Sequence, residues 1–406
     1  MRVSTAFNRM LALPGATVTG VRFEPEGMVV QLRLRARRLR CPCGWSTRAR
    51  YDSSRRRWRH LDAGGCRLWL EADIRRLHCR RCDRVVTEEV PWARPGGWHS
   101  RDFEDVVAWL AQRTDKTTIA TLLRCSWKAV DNIIGRFVAE RLDASRLEGL
   151  YRIGVDEISY KRGHYYLTVV ADHHSGKVVW VAPGKRGQAL QDFYTALGPE
   201  GRQRIEAVSM DLGTIYRDTT RRAVPDAVIC FDPFHVIQMA NRALDLVFSA
   251  SRHGADGLIS GAQWRQSRYA LRARAERLTD FQRKLLGAVR RFRYRLWRAW
   301  ELKEQLRDLY PVVDVDEARP YLRRWITSAT RSRIPAFVNL ARQIRHNFEG
   351  ILAAVELDLS NSRLEGINGK IRLIQRRGYG YHSIDALAAS IYLCLGGITI
   401  QLPTRP

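Results

Sequence analysis

The chain has 406 residues, 45% of them hydrophobic, with 12 Trp, 14 Tyr and 12 Phe spread along its length. That is too long for one ordinary domain and too apolar for a disordered basic tail, so two to four folded domains are expected. Lys and Arg number 69 against 42 Asp and Glu, a net charge of +27, and such a surplus favours a polyanionic partner, nucleic acid before membrane phosphate.

No apolar run of about 18 residues and no signal peptide is present, so the chain reads as cytoplasmic and nucleoid-associated, with no membrane partner. Its 8 cysteines are too sparse for a disulfide scaffold, and only four of them fall in close pairs. Residues 17–37 alternate apolar and polar side chains around a turn at Glu24 to Gly27, the period of a hairpin. The run CRLWLEADIRRLHC reads as a further strand ending at Cys79. Cys41 and Cys43 precede it, and Cys79 and Cys82 close it. Two such pairs carried by strands suit a tetrahedral thiolate site for structural Zn²⁺. The residues leave open a site in which His78 replaces one thiol, or plain buried cysteines. Between Gln31 and His60 there are eleven arginines and one acid, Asp52. Their mutual repulsion points to DNA across this module, with Arg55, Arg56 and Arg57 as expected contacts. Residues 1–95 are therefore expected to be a β-rich, zinc-ribbon-like DNA-binding module.

After the break PWARPGG the period becomes helical. Helices are expected over Ser100 to Arg113 and Lys116 to Leu123. A third, capped by Ser126 and running to about Leu142, turns Trp127, Val130, Ile133, Ile134 and Phe137 inward. This is a helix-turn-helix pattern over residues 98–147, with Lys128 and Arg136 on the helix that would enter the major groove.

Residues 151–235 read as strand, hairpin, helix, strand, helix, strand, the element order of an α/β ribonuclease H-like fold. Asp156 lies in or at the end of the first strand, and Asp211 ends the strand IEAVSM. If those strands are neighbours, two carboxylates meet at one sheet edge, and hard divalent cations offset their repulsion. Two such ions would serve the attacking and leaving oxygens of a phosphodiester. Residues 236–345 interrupt the unit as an all-helical insertion. Within it FQRKLLGAVRRFRYRLWRAW holds seven Lys or Arg and no acid, the composition of an amphipathic helix with a basic face. Residues 346–406 return to the catalytic domain. There Glu365 is flanked one turn away by Asn361 and Asn368, with Lys370, Arg372, Arg376 and Arg377 following. A surface salt bridge between Glu365 and Lys370 is the bland alternative.

The blocks VDEIS with KRGHYYLTVVADH, VSMDLGTIY, PDAVICFDPFHVIQMANRALD and NSRLEGINGKIRLIQRRGYGYHSIDALAASIYL occur in that order. With the cysteine pairs and the helix-turn-helix, they resemble the bacterial insertion-sequence transposases of the ISL-three family over nearly the whole chain. The resemblance implies an Asp-Asp-Glu active site, with the two aspartates at Asp156 and Asp211 and the glutamate at Glu365. It also implies that Asp232 and His235 organise the active-site region without ligating metal. The spacing Cys41-Pro42-Cys43 departs from the usual two intervening residues. On this reading Asp156 and Asp211 bridge two Mg²⁺ (or Mn²⁺), and Glu365 completes one coordination shell. The enzyme would bind terminal inverted repeats, cleave them with water, and join the exposed 3′-hydroxyl to target DNA. Lys161 and Arg162, with the cations after Glu365, would touch the substrate backbone. Two ends handled together imply a homodimer or higher oligomer. A DNA-binding regulator derived from a transposase, or a structure-selective nuclease that does not join, are the alternatives.

Overall fold

The computed structural model describes residues 2–142, 144–161, 165–184, 187–251, 261–312, 314–359 and 361–403. The chain divides into two compact units, Met1–Ala144 with Leu373–Pro406, and Ser145–Arg372. The expected final catalytic segment, 346–406, is thus split, and the division falls inside one helix.

The first unit opens with a helix the alternation pattern did not announce, α1 (Val3–Leu11). The hairpin follows as β1 (Ala16–Glu24) and β2 (Gly27–Leu34), turning where expected. Two short strands, β3 (Leu39–Arg40) and β4 (Ser46–Thr47), frame the first cysteine pair. Next come β5 (Asp52–Ala63), β6 (Cys66–Cys79) and β7 (Arg84–Thr87). The sheet order is β1-β2-β6-β5, with β7 also on β6. The arginine-rich stretch was read for charge alone, yet it is itself a strand, β5. Alternation explains this: Trp58 and His60 face a core with Leu68, Leu70 and Val30, while Arg55 and Arg57 point to the other face.

The helix-turn-helix is α2 (Arg101–Ala111), α3 (Lys116–Leu122) and α4 (Trp127–Arg141). Ser100, Asp115 and Ser126 cap the three by accepting from Phe103, Thr118 and Ala129 backbone N–H groups. Val130, Ile133, Ile134 and Phe137 are buried as expected, whereas Trp127 is only half-buried.

In the second unit β8 (Arg152–Lys161), β9 (Tyr165–Asp172) and β10 (Val178–Pro183) form an antiparallel meander. After α5 (Gly187–Gln203), which runs past the expected end through a kink at Gly198, come β11 (Ala207–Met210), α6 (Thr214–Ala223) and β12 (Val228–Phe231). The order β10-β9-β8-β11-β12, with β11 parallel to both its neighbours, is the ribonuclease H-like α/β sheet.

An all-helical segment follows: α7 (Pro233–Ala250), α8 (Gly261–Arg272), α9 (Asp280–Phe292), α10 (Tyr294–Arg307), α11 (Val315–Arg331) and α12 (Pro335–His346). The basic run at 281–300 is two helices rather than one, because Arg293 leaves helical geometry (φ −139°, ψ 60°). Leu285, Leu286 and Val289 are then buried from one axis, and Leu296, Ala299 and Leu302 from another. The chain returns through α13 (Phe348–Glu356), which lies against β12. A Cβ on Gly350 would stand 2.6 Å from the Phe231 ring, so only glycine admits this approach. Next comes α14 (Ser362–Arg377).

The closing helix α15 (Ile384–Leu395) belongs to the first unit and packs on α4 with Leu387, Ile391 and Leu393 buried. Gln112 Nε2 donates to the carbonyls of Leu393 (2.8 Å) and Ile398 (3.0 Å). These ties explain why the last residues leave the catalytic unit.

A buried imidazole, His60, and a half-buried one, His99, make the first unit acid-labile. Burial, then the charge of Arg59, lowers His60 from 6.5 to about 4. Burial, then Arg136 and Arg59, lowers His99 to about 4. The unfolded chain takes up protons near pH 6.5 and the folded one does not, so the contribution is complete above pH 6.5 and is lost as pH falls toward 4. Urea unfolding followed by tryptophan fluorescence should show a declining midpoint over that window, steepening by about 1.4 kcal/mol per pH unit per imidazole. Replacing both with Gln should flatten it.

Candidate active site

The register of the parallel strands builds this site. Ala207 pairs with Arg152 and Ser209 with Gly154, so Asp211, two residues on, continues in line with Asp156. On the other side Met210 pairs with Phe231, which sets Asp211 beside Asp232. Three carboxylates therefore stand in a row across β8, β11 and β12. Asp156 lies in the middle of its strand rather than at its end, and Asp232 caps α7 by accepting from Phe234 N–H.

The row is electrostatically loaded. Burial, then the neighbouring Asp211 charge, raises the Asp156 carboxyl to about 6. Burial raises Asp232 above its ordinary value as well. His235, on the first turn of α7, brings Nε2 to 2.7 Å from Asp211 Oδ1 and 3.8 Å from Asp232 Oδ2. Burial disfavours a charged imidazole there, but the contact with Asp211 prevails and raises its pKa. The buried Asp232 Oδ2 accepts no hydrogen bond from the described residues.

Helix α14 crosses the row and is pinned at two points. Asp232 Oδ1 accepts from Asn361 N–H (3.2 Å), and Asn368 Nδ2 donates to Asp156 Oδ2 (2.6 Å). Glu365 sits four residues after the first tie and three before the second, on the same helix face. Partial desolvation, then the Asp232 charge, raises its carboxyl. No ion pair joins it to Lys370 among the described residues. Beneath the helix, Ser209 Oγ bonds Asn361 Oδ1 and lies 2.6 Å from His173 Nε2. Gly154 makes the docking possible, because a Cβ there would stand 2.2 Å from Leu364 Cδ1.

Asp156 and Asp211 line a cleft of about 660 Å³ that Arg217, Arg242, Arg342 and His346 also line, whereas Asp232 and the exposed Glu365 lie outside its lining. Arg217 comes from α6, Arg242 from α7, and Arg342 and His346 from α12. Sequence reading missed this wall. Arg342 and His346 are spaced i, i+4 opposite the buried stripe of Phe337, Leu340, Ala341 and Ile344. That spacing shows a polar face but not what it looks onto. Gly154, inside an apolar strand, was the one readable sign of close approach.

Cation-ligating atoms fall into two groups among the described residues. One is Asp211, Asp232 and His235, whose ligand atoms lie within 4.8 Å of one another. Asp232 and His235, expected only to organise the region, thus stand at ligating distance. An unbonded buried carboxylate oxygen fits such a cation. The other is Cys41, Cys43, Cys79 and Cys82, likewise within 4.8 Å, so the tight first pair does reach the second. Hydrogen bonding with Cys43 and its neighbours pushes the Cys82 thiol up to about 12, the crowding a divalent ion relieves. His78 is turned to Asp83 instead, at 3.2 Å. The donor chemistry suits structural zinc.

The expected DNA contacts are placed unequally. Arg57 is held by Glu71 (2.7 Å) and Glu24 (2.9 Å), and Arg55 pairs with Asp73 at 3.2 Å. Arg56 stacks on Trp98 and donates to Gly97 O. Arg136 pairs with the fully buried Glu104. These four are engaged within the protein, because β5 and α4 lie against acid-bearing neighbours that charge counting along the chain cannot see. Lys128, Lys370, Arg372 and Arg376 are exposed, and Arg377 is half-buried. Lys161 ends β8, and Arg162 lies outside the described residues.

A ribonuclease H-like sheet with a row of aspartates across three strands, a helical insertion, a helix-turn-helix and a four-thiol module defines a DNA-rearranging enzyme of the transposase class. Residues 153–391 match the transposase family ISL3, described as "Transposase". Residues 88–138 match the "Helix-turn-helix domain of transposase family ISL3", and 43–82 the "zinc-finger of transposase IS204/IS1001/IS1096/IS1165". The chain is 39% identical over 375 residues to the transposase for insertion sequence element IS1557 of Mycobacterium tuberculosis, covering 86% of this chain and 84% of that protein. It is 28% identical over 346 residues to the transposase for IS1001 of Bordetella parapertussis, covering 84% of each. The chain belongs to the ISL3 transposase family.

Two outcomes test this site. Gly154→Val should force α14 off β8, breaking the Asn368–Asp156 bond. DNA cleavage should then fall about 10- to 100-fold with the circular dichroism of the fold retained. Metal analysis should find one zinc per chain, lost in Cys43→Ser and Cys79→Ser; less than one ion per two chains in the unaltered protein would refute the thiolate site.

Proposed function

We propose that this transposase binds the terminal inverted repeats of its element through the thiolate module and helix-turn-helix, and cleaves and joins DNA at Asp156, Asp211 and Glu365. The observation that supports it most is the two-point pinning of α14. Asn361 and Asn368 hold Glu365 on the face that looks onto the row of aspartates.

Asp156 and Asp211 would hold the catalytic cations between them, with Glu365 reaching in from the helix. Divalent Mg²⁺ or Mn²⁺, two by the family's pattern, would supply Lewis acidity to the attacking and leaving oxygens. The protein's own residues do the rest. Asn368 fixes the Asp156 carboxylate in one orientation, and Arg242 and Arg342 offer guanidinium groups to the strand's phosphates. Water and then a DNA 3′-hydroxyl would occupy the same position against the acids, so one cleft serves hydrolysis and transfer. Two ends joined in one reaction require a dimer or larger assembly. Lys128, Lys370, Arg372 and Arg376 are the exposed candidates for backbone contact.

The ligating distances within Asp211, Asp232 and His235 favour a second arrangement, in which a cation sits between β11 and α7. Asp156→Asn, Asp211→Asn and Glu365→Gln should each lower cleavage of an end-bearing duplex in Mg²⁺ by about 10²-fold or more, with end binding unchanged. Near-normal cleavage in Glu365→Gln together with loss in Asp232→Asn would move the metal site to the second arrangement. Metal affinity should also fall as pH drops through about 6, where Asp156 protonates.

A further inference from the structure

A second cleft, of about 690 Å³, lies within the helical insertion between α10 and α11. Its charge is of one sign. Arg298 enters from α10, and Arg323, Arg324 and Arg331 from α11, with the hydroxyls of Thr327 and Ser328 between them and no carboxylate or amide in the lining. Arg298 is fixed, donating to Ser328 Oγ at 2.6 Å and lying 3.2 Å from Glu301. Arg323 lies over the Phe348 ring at 5.8 Å. Arg324 and Arg331 are exposed and have no carboxylate partner among the described residues.

This differs from Arg55, Arg57 and Arg59 of β5, which the fold pairs with acids. Four guanidinium groups sharing one concave wall raise the local potential and concentrate polyanions. On α11 the positions 324, 328 and 331 fall at i, i+4 and i+7, so they share one face about 10 Å long. That length matches about three phosphates of one DNA strand at about 3.4 Å of axial rise each. Guanidinium and hydroxyl groups suit phosphate oxygens. Arginine also reads guanine edges, but these groups are strung along α11 as a run of phosphates is strung along a strand, not gathered on the edge of one base pair.

We propose that the α10–α11 cleft binds a duplex through its phosphodiester backbone, independently of sequence, and that its occupant is the target DNA rather than the element's ends. The assignment of target rests on the joining activity proposed above. Binding of a random duplex does not depend on that activity and can be measured separately.

The test uses the full chain. Arg324→Ala/Arg331→Ala and, as a charge-preserving partner, Arg324→Lys/Arg331→Lys are titrated with a 30-base-pair duplex of random sequence and with an end-bearing duplex, across a salt series. Both positions are exposed, so the melting temperature should stay within a few degrees of the parent. For the random duplex, the slope of log affinity against log salt should shrink by about 2 in the alanine variant, two phosphate contacts being lost, and recover in the lysine variant. Joining of ends to a target plasmid should fall at least tenfold, with end cleavage within twofold of the parent. An unchanged random-duplex slope, or a loss confined to the end-bearing duplex, overturns the proposal. Failure of the parent to cleave or join any end would instead overturn the proposed function, while the random-duplex slope would still report whether the cleft binds backbone.

Discussion

The parallel pairing of β11 with both β8 and β12 is the constraint on which the rest depends. It places residues 156, 211 and 232 in one line, and all three are aspartates. Carboxylates so arranged repel one another, and the burial that brings them together makes each harder to ionise. The raised Asp156 and Asp232 carboxyls are the signature of that conflict. His235 relieves part of it, and a hard cation would relieve more. The fold thus holds a locally unfavourable charge arrangement in place through the apolar strands beneath it.

Helix α14 is tied to that row at two points. Its attachment does not depend on a broad apolar seam alone. Two asparagines, two helical turns apart, bond to the outer aspartates, and a glycine in β8 clears the space for Leu364. The same carboxylates therefore both order the helix and face the site. Around them the charges are sorted, with acids on β8 and just after β11 and β12, and arginines on α6, α7 and α12. On the proposed function that division would suit a phosphodiester, with guanidinium groups holding its oxygens while the reacting phosphorus faced the acids.

The positive surplus of the chain is not spread evenly over its functions. In the β5 module, Arg55 and Arg57 are matched by Asp73, Glu71 and Glu24, and Arg136 of the helix-turn-helix is matched by the buried Glu104. Removing Arg57 or Arg136 would leave the buried Glu71 or Glu104 short of a partner and destabilise the fold before it affected DNA binding, whereas the exposed Arg55–Asp73 pair contributes little. Other arginines make no ion pair among the described residues: Arg324 and Arg331 on α11, Arg342 beside the acidic cleft, and in the first unit the exposed Arg37, Arg40, Arg48 and Arg50.

Local sequence settled the elements whose periodicity is closed within a few residues: the β1–β2 hairpin, the three capped helices, and the alternation of strands and helices that carries Asp156 and Asp211. The four cysteines were legible too, because thiolate pairs on strands have few other uses. Tertiary structure alone decided which strands are neighbours, and hence that Asp232 and His235 stand at ligating distance from Asp211. It decided that β5 pairs its arginines internally, that Arg342 and His346 look onto the acids, and that the last 34 residues join the first unit. The reason is physical. Periodicity fixes which face of an element is buried, but the partner across that face is chosen by contacts between different elements, at separations from 14 to 281 positions, and charge counted along a chain carries no record of them.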